Sequence, residues 1–227
     1  MAAEDELASA ATGLVPDPET DAVLDAKGLR ALAHPLRVRL VGLLRTHGPS
    51  TATRLAQDLG VGSGVTSYHL RQLAAAGFVA EDGERGNARE RWWRAAHERT
   101  WLRDKSLYDT EPEAAAAFRG SLAGMHALHT QVALGRAPSM PRPWRDVLET
   151  SDWLLRLTPG EAAELSAELR AVLARYRRFT PAVEGGEGTE STDGAAPAGA
   201  EQVKVVLHIL PDPRQDTGPG TTGAGRS

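Results

Sequence analysis

The chain has 227 residues, a net charge of −4 and no cysteine, a length that suits one principal domain and a second small one. The missing thiols exclude disulfides and thiolate metal sites, and no apolar run approaches the ~20 residues that cross a bilayer. The start, Met1-Ala2-Ala3-Glu4-Asp5-Glu6, is acidic and lacks the basic opening of a signal peptide, so a cytoplasmic protein is expected.

Residues 1–20 are rich in Ala, Asp, Glu and Pro and are expected to be disordered. A first helix is predicted over 23–33, with Leu24, Leu29 and Leu32 as its apolar stripe. His34-Pro35 ends it, because the residue before a proline disfavours the α region. Pro35 suits the first turn of the next helix, where Leu36, Leu40, Leu43 and Leu44 recur at helical spacing. Gly48-Pro49 stops that helix, and Ser50 or Thr51 caps the one after it.

Two short amphipathic segments, 51–59 and 63–76, are joined by the tight connection Gly60-Val61-Gly62. That is the spacing of a helix-turn-helix, whose second helix enters the major groove of duplex DNA. Ser63 is the expected cap, and Gly77 the left-handed residue that closes the helix. Leu70, Leu73 and Ala74 face inward, with Val65, Thr66 and His69 at the border. Ser63, Gly64, Ser67, Tyr68 and Arg71 are left for the outer face. Strands over 78–82 and 89–94, around Gly83-Glu84-Arg85-Gly86-Asn87, form a hairpin with a basic tip. The whole reads as a winged helix-turn-helix. Trp92 and Trp93 point to opposite faces of the second strand, one into the core and one as a platform for an arginine or a dimer helix.

A long helix is predicted over 112–134, broken by Pro138, Pro141 and Pro143. Its Phe118, Leu122, Met125 and Leu128 suit burial against another helix, which in winged-helix proteins is usually the same helix of a second subunit. Residues 101–145 therefore read as dimerisation helix and linker, and 146–210 as a small β-α-β unit. In that unit Trp153, Leu155 and Leu157 alternate as a strand, and Thr158-Pro159-Gly160-Glu161 is a capping box. Leu165, Leu169, Val172, Leu173 and Tyr176 mark a helix to about residue 179. A Gly/Ala/Glu/Thr-rich linker over 180–200 leads to a second strand of Val203, Val205, Leu207 and Ile209, and a disordered tail from 211. The fold class expected is mainly α with small β.

The charge is unevenly spread. Between Arg30 and Arg99 stand 11 arginines and no lysine against 6 acids, a balance of +5, so the remainder carries −9. A basic segment coinciding with the helix-turn-helix and wing has the footprint of a phosphate-binding face. A solvated charged surface would instead mix both signs in each segment.

The run Leu29-Arg30-Ala31-Leu32-Ala33-His34-Pro35-Leu36-Arg37-Val38-Arg39-Leu40 resembles the opening of bacterial ArsR-type regulators. So do Thr53-Arg54-Leu55-Ala56-Gln57-Asp58-Leu59-Gly60, Ser67-Tyr68-His69-Leu70-Arg71-Gln72-Leu73 and Ala76-Gly77-Phe78-Val79. The likeness covers about residues 24–100 and implies a cytoplasmic homodimeric regulator, most often a repressor, on an inverted-repeat operator. Many such proteins sense metals or arsenicals through cysteines; this chain has none, so soft-metal sensing does not carry over. The C-terminal extension lies outside the resemblance. It is a place for an effector or for strengthening the dimer, and its residues do not select between them.

Arg71 can donate two bonds to guanine, while Ser67 and Tyr68 can bond bases or phosphate. Ser63 and Gly64 are small enough to permit close approach. Thr51 and Arg54 address phosphates at the start of the preceding helix, and Arg85, Asn87, Arg89 and Arg91 of the wing reach backbone or minor groove. Some of these arginines are expected to pair with Glu84 and Glu90 instead. Tyr68 alternatively packs on the wing, and His69 reads as a packed, hydrogen-bonded residue. His126 and His129 share a helix face and could bind zinc if a partner subunit added ligands, although hydrogen-bonded interface histidines are commoner. No cofactor is implied. The alternative reading is a winged-helix protein-interaction module. An enzyme is disfavoured, because Gly60–Gly64 lacks the Gly-Lys-Ser/Thr of a P-loop and no nucleophilic motif stands out.

Overall fold

The computed structural model describes residues 16–83, 85, 90–176, 197 and 199–212. In chain order the elements are β1 (Asp21–Val23), α1 (Ala26–Leu32), α2 (Pro35–His47), β2 (Ser50–Thr51), α3 (Ala52–Leu59), α4 (Ser63–Ala75), β3 (Val79–Glu81), β4 (Trp92–Ala95) and β5 (Arg99–Trp101). Then come α5 (Leu107–Thr110), α6 (Pro112–Arg136), a short 3-10 turn (Ala137–Ser139), α7 (Arg142–Arg145) and α8 (Pro159–Ala174). The fold is mainly α with small sheets. Most of the expected N-terminal tail, the linker and the C-terminal tail lie outside the described residues.

The first helix is shorter than its apolar stripe suggested. Residues 21–23, of which only Val23 was expected in that helix, form a strand, pairing in parallel with β5 through Asp21↔Arg99, Ala22↔Thr100 and Val23↔Trp101. The buried Asp21 carboxylate accepts from Arg99 Nε at 2.7 Å and Nη2 at 2.6 Å, and from Trp101 Nε1 at 2.9 Å. These long-range partners outweigh the local preference for helix. α1 then starts at Asp25, whose side chain accepts from the Gly28 N–H at 2.7 Å. Beneath β5, the half-buried Arg45 donates to the His97 carbonyl at 2.8 Å and to Thr100 Oγ1 at 2.9 Å. Burial pulls its guanidinium down to about 10, partly offset by Asp21 and Glu98.

One hydrophobic core holds the domain together. Leu29 and Leu32 of α1, Leu40 and Leu44 of α2, Leu55 of α3, and Leu70 and Leu73 of α4 meet Phe78, Val79 and Trp93 there. Gly60 and Gly77 adopt φ of 65° and 83°, left-handed values that end α3 and α4 at little cost only for glycine. The three-stranded sheet runs β2-β4-β3, with Val79↔Ala95, Ala80↔Arg94 and Glu81↔Trp93 in antiparallel register.

α6 packs against α1 and α2 of its own chain. Ala115 and Phe118 are buried in the common core, with Leu122 and Met125 against its edge. The apolar face expected to meet a second subunit is therefore largely occupied within the chain, leaving Leu128, Val132 and Leu134 exposed. In the C-terminal unit the capping box is present, Thr158 Oγ1 accepting from the Glu161 N–H and Glu161 accepting from the Thr158 N–H. The two expected strands are not there. Residues 151–157 and 203–209 form no ladder among the described residues, so the β-α-β reading is corrected to a helix between unpaired segments. Alternation in sequence marks a strand-like pattern but supplies no partner edge. None of the described helices is long and apolar enough to cross a membrane.

Candidate nucleic-acid interface

The helix-turn-helix is α3 and α4. Thr51 caps α3 through its hydroxyl, which accepts from the Arg54 N–H at 3.3 Å. Thr51 is itself buried, so its place in the site is to start the helix that presents Arg54. The Arg54 side chain is exposed and lies over the Trp92 ring, 4.9 Å from its centroid. This cation–π contact joins α3 to the wing and holds the guanidinium at the surface. Of the tryptophan pair, Trp93 is the core member and Trp92 the platform for an arginine.

Ser63 is the first residue of α4 and not its cap. Gly62 occupies the cap position in extended backbone and, having no side chain, makes no side-chain bond there. Ser63, Gly64, Tyr68 and Arg71 are exposed and Ser67 half-buried, while Thr66, Leu70 and Leu73 are buried behind them. The outer face thus consists of the side chains expected there, with Val65 joining it at 48 % exposure. Arg71 Nε donates to the Ser67 carbonyl at 3.2 Å, an exposed bond that leaves its terminal nitrogens outward.

The wing is more self-paired. Arg91 Nη1 lies 3.1 Å from Glu81, and Arg85 Nε 3.5 Å from Asp82. Glu81 and Asp82, on the opposite strand and its end, take these arginines. Asn87 and Arg89 lie outside the described residues. Arg94 is a further candidate, exposed on the same face of β4 as Trp92. The alternation of this strand carried that signal.

His69 is buried, as a packed residue, but its Nδ1 meets no hydrogen-bond partner. Its ring packs on His34 with centroids 4.4 Å apart, and Tyr68 meets it edge-on at 5.2 Å. His34 caps α2, its Nδ1 accepting from the Leu36 N–H at 3.1 Å. Burial and the nearby Arg37 hold His34 below the ordinary imidazole value, and burial, His34 and Arg37 do the same for His69. A neutral His34 ring is what the geometry requires, since a capping Nδ1 must keep its lone pair.

On α6, His126 Nδ1 lies 3.1 Å from His208 Nε2, and His129 Nδ1 3.1 Å from Lys204 Nζ. No group of three or more candidate metal ligands occurs among the described residues.

A family model described as a helix-turn-helix domain matches residues 32–82, the stretch from the end of α1 through α4 and β3. Comparison with curated proteins finds no significant match. The chain carries a helix-turn-helix DNA-binding domain, which marks it as a regulator of transcription.

Proposed function

We propose that the protein is a cytoplasmic homodimeric regulator of the ArsR type, a repressor that binds an inverted-repeat operator. In this reading α4 enters the major groove and the β3–β4 wing lies along the backbone. The observation that carries it is the α4 face: Ser63, Gly64, Tyr68 and Arg71 stand exposed on a helix whose opposite face is locked in the core. Arg71 reads a base edge, Ser67 and Tyr68 bond bases or phosphate, and Arg54 on its Trp92 platform anchors the backbone. The protein is not an enzyme, requires no cofactor, and leaves room for an effector at its C-terminal unit.

Binding to the duplex upstream of its own gene, with random duplex as competitor and across a salt series, tests this. Specific binding should weaken linearly against log salt. Arg71→Ala should cost about 1–3 kcal/mol and relax specificity at one position. Equal binding to both duplexes at all salts, on wider genomic fragments as well, overturns operator recognition. A second reading, a protein-interaction module, draws on the exposed Val65 and Tyr68 of α4 and on wing arginines paired with acids. It expects Arg71→Ala to leave partner binding intact.

A further inference from the structure

The C-terminal part of the chain is built of apolar surface with nothing upon it. Trp153 is 81 % exposed and Leu154 fully so, and Val203 and Val205 are 65 % and 63 % exposed. Residues 151–157 and 203–210 belong to no helix or strand, and among the described residues none of their backbone N–H groups meets a backbone carbonyl. Val203-Lys204-Val205-Val206-Leu207-His208-Ile209-Leu210 has the β-branched, alternating composition of a strand and lacks only a neighbour.

This segment is nevertheless held in place. His208 and Lys204 meet His126 and His129 of α6. Val203, Val205 and Leu207, which alternate in sequence with these contact residues, stay exposed. Farther along α6, Leu128 and Val132 are exposed too. The large apolar side chains left exposed on these stretches, Trp153, Leu154, Val203, Val205 and Leu210 among them, together suffice for the ~800 Å² that a standard interface takes from each partner.

We infer that a second copy of this chain covers these exposed side chains, the unpaired segments 151–157 and 203–210 of one copy pairing as β-strands with those of the other. A second copy brings the same unpaired edges and the same apolar face, which is what a two-fold interface requires. Each strand then gains the ladder that its own chain does not provide. The inference rests on the homodimer reading and adds where the second copy binds and by what bonds.

The experiment is sedimentation of the full chain over a concentration series, with backbone hydrogen exchange read on the same samples. The expected result is a monomer–dimer equilibrium in which amides of 151–157 and 203–210 become protected as dimer forms. Trp153→Asp and Val205→Asp should each weaken the dimer at least tenfold. Both side chains are largely exposed, so the thermal transition of the winged domain serves as the control for folding. A dimer in which these amides exchange freely, or which both variants leave intact, overturns strand pairing and leaves a homodimer through another face. Protection that persists in the monomer places the pairing within one chain and overturns the inference. A monomer at every concentration overturns the homodimer reading as well, while DNA binding is judged separately by the operator assay.

Discussion

The winged domain and the C-terminal unit use the same kinds of residue to opposite ends. In the first, leucines at helical spacing converge from four helices until Leu29, Leu40, Leu70 and Leu73 have no exposure left. In the second, Leu165, Leu169, Val172 and Leu173 repeat the same spacing on α8, yet no residue of that helix is buried. Amphipathic pattern specifies a face that needs covering. Whether the chain itself supplies the cover depends on neighbouring elements, and only the winged domain has enough of them. Its α3–α4 pair, wing and α6 close on one another, and a rigid core is what lets α4 present an ordered outer face.

The sharpest break of this comparison is a cavity on each side. Leu70→Ala should destabilise the winged domain by about 2–5 kcal/mol, read as a lowered urea midpoint. Leu155→Ala in dilute protein should leave that midpoint where it is, because its side chain is 58 % exposed. Equal losses from both would mean the two regions share one cooperative core.

Next in size is the Asp21 ion pair. Burial alone would raise the Asp21 carboxyl, but Arg99, the Asp17 N–H and the Trp101 indole hold it below the ordinary carboxylate value. Asp21→Asn should cost roughly 3 kcal/mol at neutral pH, the penalty of leaving the half-buried Arg99 without its carboxylate. The carboxyl is lowered in the folded state, so its contribution is complete above the ordinary value and fades as acid protonates it. The gap between wild type and variant should therefore narrow in strong acid. A constant gap would show that Asn fails for reasons of shape, not charge.

Helix caps give a smaller effect, about 1 kcal/mol for losing a threonine cap. Thr51→Ala should lower the main thermal transition, since α3 belongs to the core. Thr158→Ala should reduce helix signal from α8 and leave that transition unmoved. A shift of the main transition in the second variant would tie α8 to the winged domain.

How far the sequence discloses this division follows from which interactions are local. Caps, turns and amphipathic stripes are written in a few neighbouring residues, so the helix-turn-helix, Gly77, the capping box and the outer face of α4 are all legible. The Trp92–Trp93 alternation even anticipates one core and one platform tryptophan. Contacts across long separations are not written that way. Nothing near Asp21 announces Arg99 and Trp101, and so β1 goes unforeseen and Val23 is taken for the start of a helix. The pairing of Arg91 with Glu81 depends on strand register, which neighbouring charges do not reveal. The strands expected at 151–157 and 203–209 failed for the same reason: alternation describes a strand and leaves its partner unspecified.

The smallest expected effect is one of mild acid, and it separates the two regions by their histidines. His34 and His69 are held below the ordinary imidazole value, as are His126 and His129, chiefly by burial. In the window below that ordinary value the unfolded chain binds more protons than the folded one, so stability falls as pH drops and is level above it. In the winged domain protonation takes the acceptor that caps α2 and sets a charge beside Arg37. His34→Asn keeps a capping oxygen without titrating, and should weaken the dependence of the main transition between pH 7 and roughly 5, leaving the part owed to His69 and His97. At α6 protonation of His126 sets a charge between His208 and Lys204, which should loosen segment 203–210 while the core stays folded. His126→Asn should abolish only that loosening, seen as faster exchange of its amides. Were His34→Asn to weaken both responses, the segment would be coupled to the core, and the separation between the two regions would not hold.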